Sequence, residues 1–345
     1  MRAFKSFCRC LEDSATNEEK HPGSDKKAPV LKKEDPDTLH VIAVISNPKE
    51  YKRRYELALK FIDHIISFKV SLTVVECQFG DRPFHIPYPE NSKYKVIRVR
   101  NNSELWVKEN LINIGINSLP SDAKYVAWID ADVEFENPNW VVQTIEALKD
   151  KDIVQLFKTC SDMGPDKKTI GVHKSFGFCF SKNISKHTNC YLNSMKGVNF
   201  HTGYAWAARI DVVRKLGGLF ETAIAGSSDR HMAYAFIGKI ESSYPKNTGV
   251  PYLKPLLSWS DNAYREVHGK VGYVEGNIFH YWHGKKADRK YQERWSIIKD
   301  NNFDPEKDIT KNEQGVLEWT ERASEKLRKE MSEYFAQRNE DSNEN

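Results

Sequence analysis

Two aspartates, Asp130 and Asp132, follow an apolar run in the segment AWIDADVEF at residues 127–135. In extended backbone, residues two apart point to the same side, so both carboxylates are expected to project together. Two close carboxylates repel each other unless a cation or a proton separates them. Their oxygens suit hard divalent ions such as Mg²⁺ or Mn²⁺, which commonly also bind substrate phosphates. The pair therefore predicts a metal site where a strand leaves the core.

The position of this pair matters more than its spacing. Asp-x-Asp occurs three times, at Asp35/Asp37, Asp130/Asp132 and Asp150/Asp152. The first copy lies in a polar leader, and the third lies in a charged connection between a helix and a strand. Only the middle copy follows a strongly apolar strand, so it is the copy that indicates a site.

Strands and helices alternate around this pair. Strands are predicted at residues 39–46, 70–77, 94–100, 124–129 and 152–157, and helices at 51–68, 103–119 and 137–149. Ser103 is expected to cap the second helix. Alternation with short connections is typical of an α/β fold, a mostly parallel sheet with helices on both faces. In such sheets the ligand binds beyond the carboxyl ends of the strands, where Asp130 falls.

Composition limits the class of protein. The chain of 345 residues is 39% hydrophobic and 29% charged, with a net charge of only +4, which argues against a dedicated nucleic-acid binder. It has no apolar run of about 18 residues and no secretory signal, so no transmembrane segment is expected. The six cysteines, including Cys8 and Cys10, lack metal-site spacing and favour reduced thiols. We therefore predict a soluble, cytoplasmic protein.

The strand–helix alternation followed by WIDADVEF resembles the nucleotide-sugar glycosyltransferases of the GT-A fold. The longer segment SELWVKENLINIGINSLPSDAKYVAWIDADVEF is similar to their helix leading into an Asp-x-Asp motif. The resemblance is strongest to inverting, family 2-like and galactosyltransferase-like enzymes, including a soluble type found in large viruses and phages. It implies a Rossmann-like GT-A domain over residues 39–302. It also implies that Asp130 and Asp132 hold Mn²⁺ or Mg²⁺ against the diphosphate of a nucleotide-sugar, with UDP the expected nucleotide.

The resemblance also implies a nucleotide site. Ser46 and Asn47, in the loop after the first strand, should approach the base. Glu76 stands at the end of the second strand, where the family often places an acid near the base or ribose. Lys108 and Asn113, on the helix before the motif, should face the nucleotide.

The segment HTGYAWAARIDVVRKLGGLFETAIAGSSDRHMAYAF, at residues 201–236, looks like the acceptor segment of inverting galactosyltransferase-like enzymes. Asp229, in the first turn of a predicted helix, matches their catalytic base, although serines replace the usual partner glutamate. Helix capping is the other interpretation of Asp229. Gly203 permits a close backbone approach. Trp206 could stack on the acceptor sugar or lie in the core.

The segment NIFHYWHGKKADRKYQERW, at residues 277–295, offers a histidine ligand. Family members often supply a late histidine to the metal, and His283 matches that position because Gly284 and a basic stretch follow. Residues three apart on an extended segment do not face the same way. We therefore expect one ligand, with His280 in reserve. Three following cations are expected to neutralise the departing diphosphate: Lys285, Lys286 and Arg289.

The predicted function is metal-dependent, inverting transfer of a sugar to a hydroxyl of a carbohydrate acceptor. A nucleotidyltransferase of similar fold and a non-catalytic sugar-binding protein are the alternatives. The ends of the chain are assigned as a disordered leader over residues 1–38, a helical extension over 303–338 and a disordered tail over 339–345. The amphipathic extension could dock on its own domain, form a homodimer or lie on a membrane, and its mixed charge favours docking.

Overall fold

Apolar runs of the sequence form most of the strands. The strands are β1 (Leu39–Ser46), β2 (Ser71–Phe79), β3 (Lys95–Asn101), β4 (Tyr125–Ile129), β5 (Val133–Phe135), β6 (Ile153–Gln155), β7 (Thr159–Met163), β8 (Thr169–Ser175), β9 (Phe200–His201), β10 (Ala205–Arg209), β11 (Val271–Tyr273), β12 (Asn277–His280), β13 (Ile309–Lys311) and β14 (Leu317–Trp319). The structure, a computed structural model, describes residues 37–89, 93–184 and 200–343. The predicted leader, with Cys8 and Cys10, lies outside these residues apart from positions 37 and 38.

The helices lie mainly between the strands. They are α1 (Lys52–Ile65), α2 (Lys108–Asn117), α3 (Trp140–Asp150), α4 (Phe176–Ser181), α5 (Ile210–Leu216), α6 (Ser228–Phe236), α7 (Val250–Val267), α8 (Trp295–Asp300), α9 (Pro305–Asp308) and α10 (Glu325–Gln337). Helix α2 begins at Lys108, so the predicted Ser103 cap is wrong. The Ser103 hydroxyl instead accepts a hydrogen bond from the Trp319 N–H.

The central sheet has seven strands in the order β11-β6-β10-β4-β1-β2-β3. All pairs are parallel except the two made by β10, which runs antiparallel to β4 and β6. Successive residues of β1 face opposite sides: Val41 packs in the core layer that contains Trp140 of α3, and Ile42 packs in the layer that contains Leu111 of α2. The predicted α/β class, with a mostly parallel sheet covered on both faces, is confirmed.

A second sheet brings distant segments to the end of β4. Its order is β5-β12-β7-β8-β9, and β5 begins one residue after Asp132. Strand β12 pairs antiparallel with β5, with His280 opposite Val133. The Tyr281 N–H then donates to the Asp132 carbonyl oxygen at 2.9 Å. This pairing places the end of β12 beside the Asp-x-Asp turn.

The C-terminal part packs against the rest of the compact unit formed by residues 35–345. Helix α10 buries four apolar side chains, Leu327, Met331, Tyr334 and Phe335. This burial agrees with docking of the C-terminal extension on its own domain. The segment that follows differs from the predicted disordered tail, because Glu340 is only 1% exposed and is held by arginines. In the part of the chain that the structure describes, no helix is both long and apolar enough to cross a membrane.

Candidate active site

An open pocket lies at the carboxyl ends of β1 and β4. We call it the central pocket. Its walls come from the β1–α1 loop, the start of α2, the Asp130–Asp132 turn, the segment around Gly203, the start of α6, the segment 280–294 and the C-terminal residues Phe335, Arg338 and Glu340. This is the edge of the sheet where the strand pattern places a ligand.

Asp130 and Asp132 both line the pocket, as predicted, but they have different partners. Asp130 follows β4 directly and makes an ion pair with Lys108 at the start of α2. Burial raises the pKa of Asp130, and the carboxylates of Asp132 and Asp229 reinforce this against the effect of Lys108. The pocket therefore concentrates negative charge and favours a cation.

Asp132 lies on the turn after β4, where its carboxylate meets two imidazoles. Its Oδ2 lies 3.1 Å from His283 Nε2 and 3.9 Å from His280 Nε2, and the two Nε2 atoms are 3.3 Å apart. The structure places both histidines beside Asp132, where one was expected, because β12 ends at His280 and the chain then turns and brings His283 back. Asp130 is not part of this group of three, so its prediction as a direct ligand is not supported.

The partner of His280 fixes which of its ring nitrogens carries a proton. The His280 Nδ1 lies 2.9 Å from the Asp162 carboxylate, which only accepts hydrogen bonds, so the Nδ1 carries the proton and the Nε2 a lone pair. The Arg289 guanidinium only donates, and its Nη2 lies 3.0 Å from the His283 Nε2. The His283 Nε2 thus faces both a donor, Arg289, and an acceptor, Asp132, and it offers a lone pair when the proton of a neutral ring lies on Nδ1. Burial lowers the pKa of His280, which keeps its ring neutral.

These residues fit a divalent metal ion. Two imidazole nitrogens and a carboxylate oxygen converge, and when both nitrogens present lone pairs a cation is needed between them. The Asp132 Oδ1 is also buried and has no hydrogen-bond partner among the described residues. Nitrogen and oxygen donors of this kind suit Mn²⁺, and Asp162 orients its histidine as outer carboxylates do in metal sites. Metal binding would require Arg289 to release the His283 lone pair.

Asp229 lies in the first turn of α6 and faces the same pocket. Its Oδ1 accepts the Arg230 N–H at 2.9 Å, and its Oδ2 lies 3.3 Å from the Thr202 hydroxyl. A Cβ added at Gly203 would lie 2.7 Å from the Asp229 Oδ2, so only glycine permits this approach. Burial raises the pKa of Asp229, but the neighbouring cationic groups reverse the shift and lower it overall. The carboxylate is therefore ionised at neutral pH.

Two residues predicted for the nucleotide site lie elsewhere. Glu76 is fully buried, and its oxygens accept the backbone N–H groups of His85 at 2.6 Å and Ile86 at 3.0 Å. The Asn113 side chain bonds both backbone groups of Leu219 and so holds the chain ahead of α6. Both predictions are corrected, because these polar groups already satisfy the backbone of neighbouring loops.

Other predicted residues divide between the pocket and the core. Ser46 and Asn47 line the pocket, although the Asn47 side chain also bonds the Tyr51 backbone. Trp206 is 3% exposed in β10 and donates to the Thr202 carbonyl, so it is a core residue and not an acceptor platform. Among the predicted cations, Arg289 lines the pocket, whereas Lys286 pairs with Asp162 behind the histidines and Lys285 is not part of the lining.

The sequence reasoning missed several residues of the site. Asp162 orients His280, and Glu340 and Arg338 reach the pocket from the end of the chain. His201 lies beside Gly203, and burial lowers the pKa of its ring, although the Asp229 carboxylate opposes this. Nothing in the local sequence marks these positions, because packing between distant segments brings each residue to the site.

Glu109 gives the stability a pH dependence. Burial raises its pKa to about 7 in the folded protein, although Lys108 opposes the shift. The pKa in the folded protein is above the ordinary value of 4.5, so the unfolded chain releases this proton at a lower pH than the folded protein. The free energy of unfolding should therefore fall as pH rises from 4.5 to about 7. Glu109→Gln should remove this loss. Urea unfolding of both proteins at about pH 5 and about pH 8 should show the variant gaining relative stability at the higher pH.

Glu146→Gln, on the exposed side of α3, is the matched control and should show no such pH-dependent gain. If Glu109→Gln and the wild type differed by the same free energy of unfolding at both pH values, Glu109 would not titrate between them.

The chain is distantly similar to several solved protein structures. No family model and no curated protein matches the chain. Among solved structures, it is similar to Drosophila β1,4-galactosyltransferase 7 (a variant with manganese, UDP-Gal and xylobiose), with 11% identity over 82% of this chain and 94% of that chain and a TM-score of 0.38. It is also similar to glucosyl-3-phosphoglycerate synthase from Mycobacterium tuberculosis with Mn²⁺, UDP and glucosyl-3-phosphoglycerate. The identity is 12% over 76% of this chain and 77% of that chain, with a TM-score of 0.37.

A third similar structure is a fragment of TarS from S. aureus with UDP-GlcNAc, at 10% identity over 72% of this chain and 60% of that chain, with a TM-score of 0.39. Scores this low carry no argument about what the protein does.

Proposed function

We propose that this protein is a metal-dependent glycosyltransferase that moves a sugar from a UDP-linked donor to a hydroxyl of a carbohydrate acceptor, with inversion at the anomeric carbon. The observation that carries the proposal is the convergence of Asp132, His280 and His283 in a pocket that also contains Asp229. A cation site and a separate ionised carboxylate in one open pocket are the two groups that such a transfer needs.

The donor half of the site would be formed by the metal ligands and by Arg289. Asp132, His280 and His283 would hold Mn²⁺ or Mg²⁺, which when bound supplies a Lewis acid for the diphosphate leaving group. Arg289 is 7% exposed, lines the pocket and makes no ion pair with an acid among the described residues. A buried guanidinium needs a counter-charge, and a diphosphate provides one with matching geometry. Arg289 would therefore bind the leaving group.

The acceptor half would be formed around Asp229. Its carboxylate is ionised at neutral pH, and Gly203 leaves the Oδ2 accessible by lacking a side chain. Asp229 would accept the proton of the acceptor hydroxyl as that oxygen attacks the anomeric carbon. Attack from the face opposite the diphosphate inverts the configuration. The bond to the leaving oxygen breaks as the new glycosidic bond forms, and the electron pair leaves with the diphosphate.

Calorimetric titration of UDP, GDP and their sugars, with and without Mn²⁺, tests the donor half. UDP and UDP-sugars are expected to bind measurably only with the metal. A panel of UDP-sugars with simple glycan acceptors then tests transfer. If no nucleotide bound in the presence of Mn²⁺, the proposal would be overturned. Metal-dependent binding of nucleoside triphosphates but not of nucleotide-sugars would favour a nucleotidyltransferase.

A further inference from the structure

The segment after α10 returns to the central pocket and lies against the metal ligands. We call residues 338–343 the C-terminal strap. Its Glu340 is 1% exposed and lines the pocket. The guanidinium groups of Arg54 and Arg338 both donate to the Glu340 carboxylate. The Glu340 carboxylate is thus fixed at the pocket wall by two arginines, where it lies beside the ring of His283.

The strap is tied to the loop that carries His283 on both sides of that residue. The Trp282 indole N–H donates to the Ser342 carbonyl at 2.7 Å. Gly284 has a φ of +86°, and a Cβ there would lie 2.9 Å from the carbonyl oxygens of Arg338 and Asn339. The close approach therefore needs glycine at this position. His283 lies between these two contacts.

The His283 ring has one nitrogen facing the metal ligands and the other facing the strap. When its Nε2 offers a lone pair to Arg289 or to a metal ion, the proton of the neutral ring is on Nδ1. That Nδ1 is buried, and no partner at ordinary hydrogen-bond geometry is found for it among the described residues. The Glu340 Oε2 lies 3.5 Å away. A movement of about half an ångström closes this gap to a charge-assisted hydrogen bond.

We propose that Glu340 is a positioning residue for the metal site. Its carboxylate holds the Nδ1–H of His283 and thereby directs the Nε2 lone pair toward Asp132, as Asp162 does for His280. This inference deepens the proposed function and rests on it. It makes Glu340 a support of the metal site, although the C-terminal strap supplies no ligand.

Direct Mn²⁺ titration of the full chain by calorimetry tests the role of Glu340. Loss of an outer partner of a metal ligand weakens metal binding by about 10- to 100-fold, and we expect this rise in Kd for Glu340→Gln. The control is Asp341→Asn, the same change one residue along the strap. Asp341 accepts the backbone N–H groups of Lys52 and Arg53 at the start of α1 and does not contact His283.

Asp341→Asn should lower the melting temperature but change the Mn²⁺ Kd by less than about threefold, because the outer partners of the ligands remain. An equal rise in Kd for both variants would mean that anchoring of the strap, not the Glu340 carboxylate, matters, and would overturn the inference. Equal Mn²⁺ affinities of the wild type and Glu340→Gln would also overturn the proposed role of Glu340. A wild-type protein that binds no Mn²⁺ would overturn the proposed metal site itself.

A second measurement does not depend on Glu340→Gln, because that change leaves buried arginines short of an acceptor and would destabilise the protein. Nitrogen-15 NMR of the metal-free wild type reports the tautomer of each histidine. We expect His283, assigned by the signals lost in His283→Gln, to carry its proton on Nδ1. A proton on Nε2 would contradict the proposed role of Glu340.

Discussion

Replacing Asp132 with alanine is expected to abolish Mn²⁺-dependent binding of UDP and all sugar transfer. Asp132 is the carboxylate that meets both His280 and His283. Loss of an outer partner of a ligand weakens metal binding by about 10- to 100-fold, so loss of a ligand itself should weaken it by more. The fold should survive, because the backbone carbonyl of Asp132, not its side chain, pairs with Tyr281. Calorimetry with Mn²⁺ and UDP measures the binding, and circular dichroism measures the fold.

Asp150→Ala is the matched control for this variant. Asp150 belongs to another Asp-x-Asp copy, ends helix α3 and is exposed. It should retain full binding and transfer. If Asp132→Ala bound UDP with wild-type affinity in Mn²⁺, the metal would not be held by this group, and the donor half of the proposed mechanism would be wrong.

Asp229→Asn is expected to lower kcat by about 10²- to 10⁴-fold, the usual contribution of a positioned general base. Asparagine has the same shape, and its amide oxygen can still accept the Arg230 N–H, so the start of α6 should be kept. It cannot take the proton of the acceptor hydroxyl. Affinity for UDP and Mn²⁺ should stay within about twofold, because the base acts in the transition state and not in donor binding. Steady-state kinetics and calorimetry together separate the two effects.

Asp211→Asn is the control for this second variant. Asp211 is also an aspartate in the first turn of a helix, α5, but it is exposed and pairs with Arg209 on the surface. It should leave kcat unchanged. Equal losses of donor affinity and turnover in Asp229→Asn would indicate that Asp229 only caps α6, which is the other interpretation of this residue.

The fold could be predicted from sequence to the extent that it depends on local pattern. The run at residues 39–46 predicts the bounds of β1, and the predicted strand at 124–129 differs from β4 by one residue. The antiparallel direction of β10 could not be predicted in the same way. Apolar periodicity determines which faces are buried, but the neighbours of a strand depend on packing between distant segments.

The site was predictable only in part, for a related reason. Asp130 and Asp132 were placed in one pocket because they follow an apolar strand directly. The sequence also predicts Glu76 near the end of a strand, yet β2 continues to Phe79 and the Glu76 carboxylate satisfies backbone N–H groups of a nearby loop. In sequence, an acid that faces a ligand and an acid that faces a loop look the same. Glu340 was assigned to a disordered tail because its partners, Arg54 and Arg338, give no local signal of their pairing.

The strand order of the central sheet has a consequence for how the residues of the proposed metal site come together during folding. Strands β1 to β4 can pair among themselves, whereas β6 pairs only with β10 and β11, which come much later in the chain. Contacts between distant segments form slowly, because the intervening chain must first be ordered. Asp132 belongs to the early-pairing half, while His280 and His283 must arrive with the late one. A metal ion would therefore stabilise the finished protein, chiefly by slowing its unfolding, and would give little help to the first steps of folding.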